Sequence, residues 1–172
     1  MKKIILIGAG TFSTVLIDLI KENELYRDYK IMGFLDDDKV CDENYDYPLL
    51  GKISEANKYD DENTYFVIAI GNPKIRKQVA ERLNDLNYLN LIDKSSLISR
   101  DAILGKGIIV LKGAIINTFA KIDDYVIINS GAIVDHHCHI GRFSHIGQGS
   151  VLWHNAIIDE AIHIMPSSVV KG

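Results

Sequence analysis

An aliphatic residue stands at every sixth position through the second half of the chain. The series has thirteen members and no exception: Ile98, Leu104, Val110, Ile116, Ile122, Ile128, Val134, Ile140, Ile146, Leu152, Ile158, Ile164 and Val170. Four positions after most of them comes a small side chain, as at Ala132, Cys138 and Ser144. A period of six fits neither an α-helix nor a single strand. It predicts a parallel β-helix in which three hexapeptides form one coil, the aliphatic column fills the axis and the small residues allow tight corners.

The same period assigns positions to the histidines, all six of which lie between residues 136 and 163. Because three hexapeptides make one coil, His136 is predicted to lie one coil below His154. By the same count, His145 lies one coil below His163. We therefore expect two stacked histidine pairs on the β-helix, with the other two histidines close to His136.

The first half of the chain alternates short apolar runs with amphipathic segments, which indicates alternating strands and helices. The predicted elements are a strand at 3–7, a helix at 11–23, a strand at Lys30–Leu35, a short helix near 52–58, a strand at Thr64–Ile70, a helix at 74–87 and a strand at Leu89–Ile92. This order predicts a Rossmann-like α/β domain with a small parallel sheet. Residues 1–97 hold 30 of the 42 charged side chains, so we expect two domains, at 1–93 and 94–172.

The first predicted strand ends in Gly8, Ala9 and Gly10. Glycine lets a backbone approach a ligand closely, and the start of the following helix presents N–H groups to an anion, so this turn is a candidate phosphate site. The full dinucleotide fingerprint has glycine or alanine where this chain has Ser13. Asp36, at the end of the second strand, is placed to accept a hydrogen bond from a ribose or a uridine. The turn predicts nucleotide or nucleotide-sugar binding, with a purely structural turn and a redox dinucleotide site as alternatives.

The composition excludes several classes of partner. A net charge of −4 with 47% hydrophobic residues is typical of a soluble globular protein, and the acidic balance argues against nucleic acid or an anionic membrane. No apolar run reaches the roughly 20 residues of a membrane span. The two cysteines, Cys41 and Cys138, form neither a CxxC motif nor a disulfide framework. We therefore expect a cytoplasmic protein.

The two domains together with the segment NSGAIVDHHCHIGRFSHIGQGS resemble the NeuD/PglD-type sialic acid and bacillosamine acetyltransferases. The resemblance extends to the GAG turn, the FLDDD strand end and the AIGNPKIR segment. It implies a left-handed β-helix and transfer of an acetyl group from acetyl-CoA to an amine or hydroxyl of a free or nucleotide-linked sugar. It also implies a homotrimer with active sites between subunits. Apolar residues beside the inward column are expected on the trimer faces: Ile109, Ile115, Ile127 and Ile133.

The resemblance also implies roles for individual residues. His136 is the expected general base, and His145 and Pro166 are the expected contacts to acetyl-CoA; no metal is expected. The expected substrate contacts are Gly10, Thr11, Phe12, Asp36, Asp37 and Gly71. An imidazole with a pKa of about 6.5 can take the proton from a sugar amine or hydroxyl as it attacks the thioester. Because both substrates are held in one groove, no covalent intermediate is needed.

Three features depart from the family's pattern. The Thr-Phe pair after Gly10 replaces a common histidine, so the sugar is expected to differ. His137 stands where an acidic residue usually follows the base, and Asp135 on the other side is a partial substitute. The chain stops at Gly172, where relatives usually continue for one or two more coils that cover coenzyme A. An altered or incomplete cofactor groove is therefore expected.

Two other functions stay open. A shortened β-helix is compatible with a non-catalytic trimeric scaffold that binds a sugar nucleotide. A γ-class carbonic anhydrase is also a trimeric left-handed β-helix, and it binds zinc through histidines of adjacent subunits, although it has no Rossmann-like domain. The stacked histidine pairs are the candidate ligands for such a metal.

Overall fold

The computed structural model describes residues 1–38 and 46–172, which form two compact units. The first unit comprises Met1–Gly71 and Gln78–Leu89, and the second comprises Asn72–Lys77 and Asn90–Gly172. The domain limits 1–93 and 94–172 stay a prediction, and Cys41 lies outside the described residues. Within the two described ranges, no helix combines the length and the apolar character that a membrane span requires.

The first unit is built on a four-stranded parallel sheet. Its strands are β1 (Lys2–Ile7), β2 (Tyr29–Leu35), β3 (Leu49–Gly51) and β4 (Thr64–Ile68). They lie in the order β3-β2-β1-β4. The four residues from Ile4 to Ile7 in the central strand β1 are at most 1% exposed. Their continuous apolar run therefore reflects burial on both faces of a parallel sheet.

Among the described residues of this half of the chain, two α-helices and two 3-10 helices accompany the sheet. They are α1 (Phe12–Glu22), 3-10 helices at Glu24–Tyr26 and Ile53–Tyr59, and α2 (Pro73–Arg82). Helix α1 buries Leu16, Leu19 and Ile20, residues whose helical spacing predicted it. Helix α2 ends at Arg82, five residues before the predicted end.

Two strands differ from the prediction. β3 was not predicted, because a three-residue edge strand is too short to show a periodicity. The last predicted strand, Leu89–Ile92, is divided between the two units. The Leu89 N–H donates to the Phe66 oxygen of β4 at 3.0 Å, as expected for the first sheet, whereas Leu91–Ile92 pairs with Ile109–Val110 in the second unit. Ile92 stands six residues before Ile98, so it extends the aliphatic series by one member.

The second unit contains three parallel sheets, each of which is one face of a β-helix. Face 1 comprises Leu91–Ile92, Ile109–Val110, Ile127–Ile128, His145–Ile146 and His163–Ile164. Face 2 comprises Leu97–Ile98, Ile115–Ile116, Ile133–Val134, Val151–Leu152 and Val169–Val170. Face 3 comprises Ile103–Leu104, Lys121–Ile122, His139–Ile140 and Ile157–Ile158. Each strand pairs with the strand one coil away, as in the register of Ile133 with Val151, which confirms the predicted period.

The second residue of each strand points into the axis of the β-helix. From Val110 to Leu152 these inward residues are at most 1% exposed. The small residues that follow the corners, such as Ala132 and Cys138, are equally buried. Removal of this column from water is the main stabilising contribution to the second unit.

The corners of the coils require an unusual backbone conformation. Every sixth residue from Gly107 to Ser167 has a φ angle between 57° and 69°, the left-handed region that glycine adopts most readily. Glycine stands at four of these corners, and the other seven are Phe119, Tyr125, His137, Phe143, Asn155, Ala161 and Ser167. A non-glycine residue pays about 1–2 kcal/mol in this conformation. The coil ladder and the buried column therefore hold these corners against their local preference.

The outward residues of the three faces differ in exposure. On face 1, Ile109 and Ile127 are 1% and 0% exposed, so they are covered within a single chain rather than on a trimer face as expected. On face 2, Leu97 and Val169 are 65% and 61% exposed, and the residues between them are half-buried. On face 3 the exposed Ile103 and Ile157 flank the polar Lys121 and His139, so only face 2 is both reached by solvent and apolar in every coil.

Candidate functional site

His136 lies at the corner that joins face 2 to face 3. The strand Ile133–Val134 precedes it, and the next coil holds its backbone, because its carbonyl oxygen accepts a hydrogen bond from the Asn155 N–H at 3.2 Å. Its own N–H donates to Asp135 Oδ1 at 2.8 Å. The backbone is thereby fixed while the imidazole is exposed.

Two other histidines contact the imidazole of His136. Its Nδ1 lies 3.0 Å from the Nδ1 of His137. Its ring stacks on that of His154, with centroids 5.3 Å apart and planes 20° apart, which confirms the predicted pair. Of two ring nitrogens in a hydrogen bond, one donates and the other accepts. When His136 Nδ1–H is the donor, Nε2 of His136 carries the free lone pair and can act as a base.

Asp135 supports this corner through the backbone rather than through the imidazole. Its Oδ1 accepts hydrogen bonds from the His136 N–H and from Asn117 Nδ2, the latter at 3.0 Å. These two bonds hold the pKa of the Asp135 carboxyl below its usual value. His137 therefore contacts the base in place of the acidic partner that was expected. The Asp135 carboxylate bonds to the main chain of His136 and not to its imidazole.

His145 is the outward residue of a face 1 strand and is 7% exposed. Its Nε2 lies 3.0 Å from Asn129 Nδ2. Because Asn129 Oδ1 accepts from the Ser130 N–H at 2.8 Å, the amide orientation is fixed, so Nδ2 donates and His145 Nε2 accepts. The ring also stacks on His163 at a centroid distance of 4.6 Å, which confirms the second predicted pair. Asn129 was not predicted to take part, because in the preceding coil it stands two positions past Ile127, the residue in register with His145.

Arg76, from the AIGNPKIR segment, anchors the corner that precedes His145. It is 1% exposed, and its guanidinium donates to the backbone oxygen atoms of Tyr125 at 2.9 Å, of Ser144 at 3.2 Å and of Phe143. Burial lowers the pKa of Arg76 to about 9. No role was predicted for this residue, although its place in a recognised segment was a signal.

The predicted catalytic and cofactor residues lie on different edges of the β-helix. His136 is at the corner between faces 2 and 3, His145 is on face 1, and Pro166 is exposed at the corner between faces 1 and 2. Face 3 therefore lies between His136 and His145, and face 2 lies between His136 and Pro166. A site that uses all three residues requires more than one copy of the chain.

In the first unit, the predicted substrate residues gather at the carboxyl ends of β1, β2 and β4. The Gly8 N–H donates to the Leu35 oxygen at 2.8 Å. Gly8 has a φ of 104°, and a Cβ there would lie 2.8 Å from Ile70 Cγ1, so this glycine is required by the fold. Gly10 is different, since apart from its two chain neighbours no residue has a heavy atom within 4 Å of the position a Cβ would take. Open space at Gly10, before α1, leaves room for a ligand group.

Two carboxylates at this edge are engaged by the backbone. Asp36 accepts from the Ala9 N–H at 2.6 Å and from the Asp38 N–H at 2.9 Å. Asp37 Oδ1 accepts from the Ile53 N–H at 2.9 Å. Each carboxylate oxygen has two acceptor sites, so both groups retain capacity for a ligand. Thr11 and Phe12 lie at the start of α1, and Gly71 follows the end of β4; the binding roles of all these residues stay predictions.

Cys138 lies close to the candidate base in sequence but has the wrong chemistry for a nucleophile. Its side chain is 1% exposed, and its Sγ donates to the Trp153 oxygen at 3.0 Å. Burial raises the pKa of the thiol, and the thiol is a poor nucleophile compared with the thiolate. This residue therefore gives no support for a covalent acyl-enzyme.

Known proteins resemble the chain in its N-terminal part and in its overall fold. Residues 3–83 match the family model of the PglD N-terminal domain. No curated protein sequence matches the chain. Among solved structures, the acetyltransferase domain of PglB from Neisseria gonorrhoeae FA1090 is similar with a TM-score of 0.81 and 26% identity, covering 99% of this chain and 91% of that chain.

Two further solved structures are similar over the same length. The PglB domain in complex with acetyl coenzyme A has a TM-score of 0.79 and 26% identity, covering 99% of this chain and 93% of that chain. A mutant of perosamine N-acetyltransferase from Caulobacter crescentus, in complex with CoA and GDP-perosamine, has a TM-score of 0.74 and 22% identity. That match covers 100% of this chain and 84% of the other.

These matches bear on both parts of the chain. The family match includes the turns that hold Gly10, Asp36 and Gly71. The structural matches extend over the β-helix and confirm the predicted fold, a Rossmann-like part followed by a left-handed parallel β-helix. The resemblance to the NeuD/PglD-type sugar acetyltransferases, first seen in the sequence, is thereby confirmed.

Proposed function

We propose that the chain is an acetyl-CoA-dependent acetyltransferase that modifies an amine or hydroxyl of a nucleotide-linked sugar, with His136 as general base. The observation that carries the proposal is the exposed His136 imidazole on the β-helix, with its Nδ1 3.0 Å from a second imidazole. The acyltransferase class and acetyl-CoA as co-substrate are supported by the similar PglB acetyltransferase domain, which is known in complex with acetyl coenzyme A. The open turn at Gly10 supports a nucleotide-linked sugar.

The reaction needs one proton acceptor and no covalent intermediate. His136 Nδ1–H donates to His137, so Nε2 takes the proton from the sugar amine or hydroxyl as its nitrogen or oxygen attacks the thioester carbon. The new bond forms to the acetyl carbon, the C–S bond breaks, and the coenzyme A sulfur leaves and recovers the proton from His136. A positioned base contributes roughly 10²–10⁴-fold to such a rate. His137 fixes the tautomer of the base without adding a negative charge.

We further propose a homotrimer with active sites between copies. Within one chain, face 3 lies between His136 and His145 and face 2 lies between His136 and Pro166, so a second copy is needed to complete the site. The outer stripe of this face is aliphatic in every coil: Leu97, Ile115, Ile133, Val151 and Val169. A continuous exposed apolar stripe is typical of a protein interface. Light scattering should give the mass of a trimer, Ile133→Lys should give a monomer, and a monomeric wild type would contradict the arrangement.

We propose that the nucleotide-sugar substrate binds at the carboxyl edge of the first sheet. Backbone N–H groups of Gly10, Thr11 and Phe12 at the start of α1 suit a phosphate. Asp36 and Asp37 suit sugar hydroxyls, and Gly71 lines the third strand end. Because acetyl-CoA is an intracellular metabolite, we place the enzyme in the cytoplasm.

The direct test is acetyl transfer from acetyl-CoA to a panel of UDP- and GDP-linked amino sugars and free sialic acid. We expect one acetylated product, identified by mass, with the site of acetylation showing whether nitrogen or oxygen reacts. His136→Ala should lower kcat by about 10²–10⁴-fold. The matched control is His139→Ala, because His139 bonds Asp123 at 2.8 Å on face 3, and its activity should stay within a few-fold of wild type.

Two results would contradict the proposal. Equal losses in His136→Ala and His139→Ala would remove the role of His136 as base. Calorimetry that detects no acetyl-CoA binding at millimolar concentration would remove the enzyme and favour the non-catalytic scaffold.

A further inference from the structure

Three metal-ligand side chains meet at the corner after face 2. Asp135, His136 and His154 each offer one ligand atom, and these atoms all lie within 4.8 Å of one another. The stacking of successive coils creates the group, because His154 stands one coil above His136. Both imidazoles are exposed and the carboxylate is half-buried, so an ion from solvent can reach all three.

The donor set suits a particular class of ion. Two imidazole nitrogens and one carboxylate oxygen, with water in the fourth position, are the ligands of many tetrahedral zinc sites. With zinc–ligand bonds of about 2.0–2.2 Å, neighbouring ligand atoms lie roughly 3.3 Å apart. The present spacing therefore has to shrink by at most about 1.5 Å, which rotation of exposed histidine side chains can supply.

The carboxylate is already held in place for this role. Asn117 Nδ2 and the His136 N–H both bond to Oδ1 of Asp135, which leaves Oδ2 as the ligand atom. Hydrogen bonds of this kind orient a metal ligand and raise the affinity of a site. Asn117 therefore serves as an outer-shell support for the ion.

The second stacked pair offers a comparison within the same fold. His145 and His163 stack at 4.6 Å, but His145 is buried and its Nε2 accepts from Asn129. Among the residues that the structure describes, no acidic or cysteine side chain joins this pair to make a three-ligand group. Both places therefore have a stacked pair of imidazoles, but among the described residues only the pair of His136 and His154 has a carboxylate beside it.

We propose that Asp135, His136 and His154 bind a divalent transition-metal ion, with Zn²⁺ the best match, and that the bound ion inhibits acetyl transfer by occupying the imidazole of His136. The inhibition rests on the proposed function, whereas the binding does not. An ion on His136 removes the lone pair that would accept the substrate proton. The site then acts as a reversible block rather than as a catalytic zinc centre.

Binding is tested with Zn²⁺ alone on the full chain after removal of metal with a chelator. Titration calorimetry should give one ion per chain with a Kd in the micromolar range or below. His154→Ala and Asp135→Asn should each weaken binding at least tenfold, whereas His163→Ala, the matched control, should bind as wild type does. Circular dichroism checks that each variant is folded. Equal affinity in His154→Ala and His163→Ala, or no saturable binding to wild type, would overturn the site.

Inhibition is measured in the acetyl-transfer assay by the ratio of product formed with and without Zn²⁺. Wild type should lose at least tenfold activity at saturating Zn²⁺ and recover it with EDTA. In His154→Ala the same ratio should return toward one, whatever its basal rate. Undiminished wild-type activity with Zn²⁺ bound would overturn the block. Failure of the acetyltransferase itself is recognised separately, because Zn²⁺ binding would persist with no acetylated product from any sugar.

Discussion

Replacing Ala161 by glycine should make the protein more stable, although alanine is usually the more stabilising residue of the two. Ala161 stands at a corner of the β-helix with a φ of 57°. Its N–H donates to the Arg142 oxygen at 2.9 Å, a bond that glycine retains. The substitution therefore changes the conformational preference of one residue and leaves the coil ladder intact.

The size of the effect follows from two opposing contributions. The left-handed region destabilises a non-glycine residue by about 1–2 kcal/mol, and Ala161→Gly removes that destabilisation. Glycine also gives the unfolded chain more freedom, which costs about 0.4–1 kcal/mol. The free energy of unfolding should therefore rise by about 0.5–1 kcal/mol. For a chain of this size the midpoint of thermal unfolding should rise by about 1–4 °C.

The assay is urea and thermal unfolding followed by circular dichroism. Ala102→Gly is the matched control, because Ala102 follows a corner of the same β-helix but is not among the residues with positive φ. There the cost in the unfolded state remains and a methyl group packed against the core is also lost, so Ala102→Gly should lower stability by at least roughly 0.5–1 kcal/mol. If both variants lowered the midpoint alike, the backbone strain assigned to the corners would be refuted.

The remaining predictions concern the site and its supports. His137→Asp offers His136 Nδ1–H a charged acceptor and should raise kcat/KM by roughly two- to tenfold. His137→Ala removes the acceptor and should lower kcat/KM. A higher kcat/KM in His137→Ala than in His137→Asp would contradict the role of His137. Arg76→Met removes the donors to three corner carbonyl groups and should lower the free energy of unfolding by about 2–4 kcal/mol. Lys77→Met is the comparison: its ion pair with Glu160 is half-exposed, so the loss should be under about 1 kcal/mol. Asp61 has its pKa lowered to about 2, first by the hydrogen bond from Lys3. The contribution of the Asp61 carboxylate to the free energy of unfolding is therefore complete above its usual pKa of 3.8 and is lost as pH falls toward 2. Asp61→Asn should flatten the acid limb of the stability profile in that window, and an unchanged limb would show that other carboxyls govern it.

Much of the β-helix could be predicted because one physical rule generates it. A residue that points into the axis must be apolar in every coil, so the aliphatic series from Ile98 onward predicted both the fold and the register of the strands. The stacking of His136 on His154 followed from the same count. The rule predicts which residues point inward, but it does not predict which of the outward residues are buried. That is why Ile109 and Ile127 were expected at a surface between copies and are buried instead.

The details of the site depend on contacts that have no period. The pairing of His136 Nδ1 with His137 joins sequence neighbours across a left-handed corner, and only the side-chain geometry reveals it. Asn129 reaches His145 from the preceding coil, but it stands two positions past Ile127, the residue that pairs with His145. Arg76 meets the corners before His145 from a distant part of the chain. Such contacts are set by how elements pack, which a local sequence pattern does not encode.

The coil register also restricts how the length of this protein can change during evolution. Inserting one hexapeptide between residues 138 and 150 would keep every later aliphatic residue inside, so the core would survive. Every later side chain would nevertheless move to the next face, and His154 would leave its position above His136. Only the gain or loss of a whole coil preserves both the core and the histidine stack. We therefore expect related chains to differ in length here by complete coils, even though single hexapeptides would be tolerated by the fold.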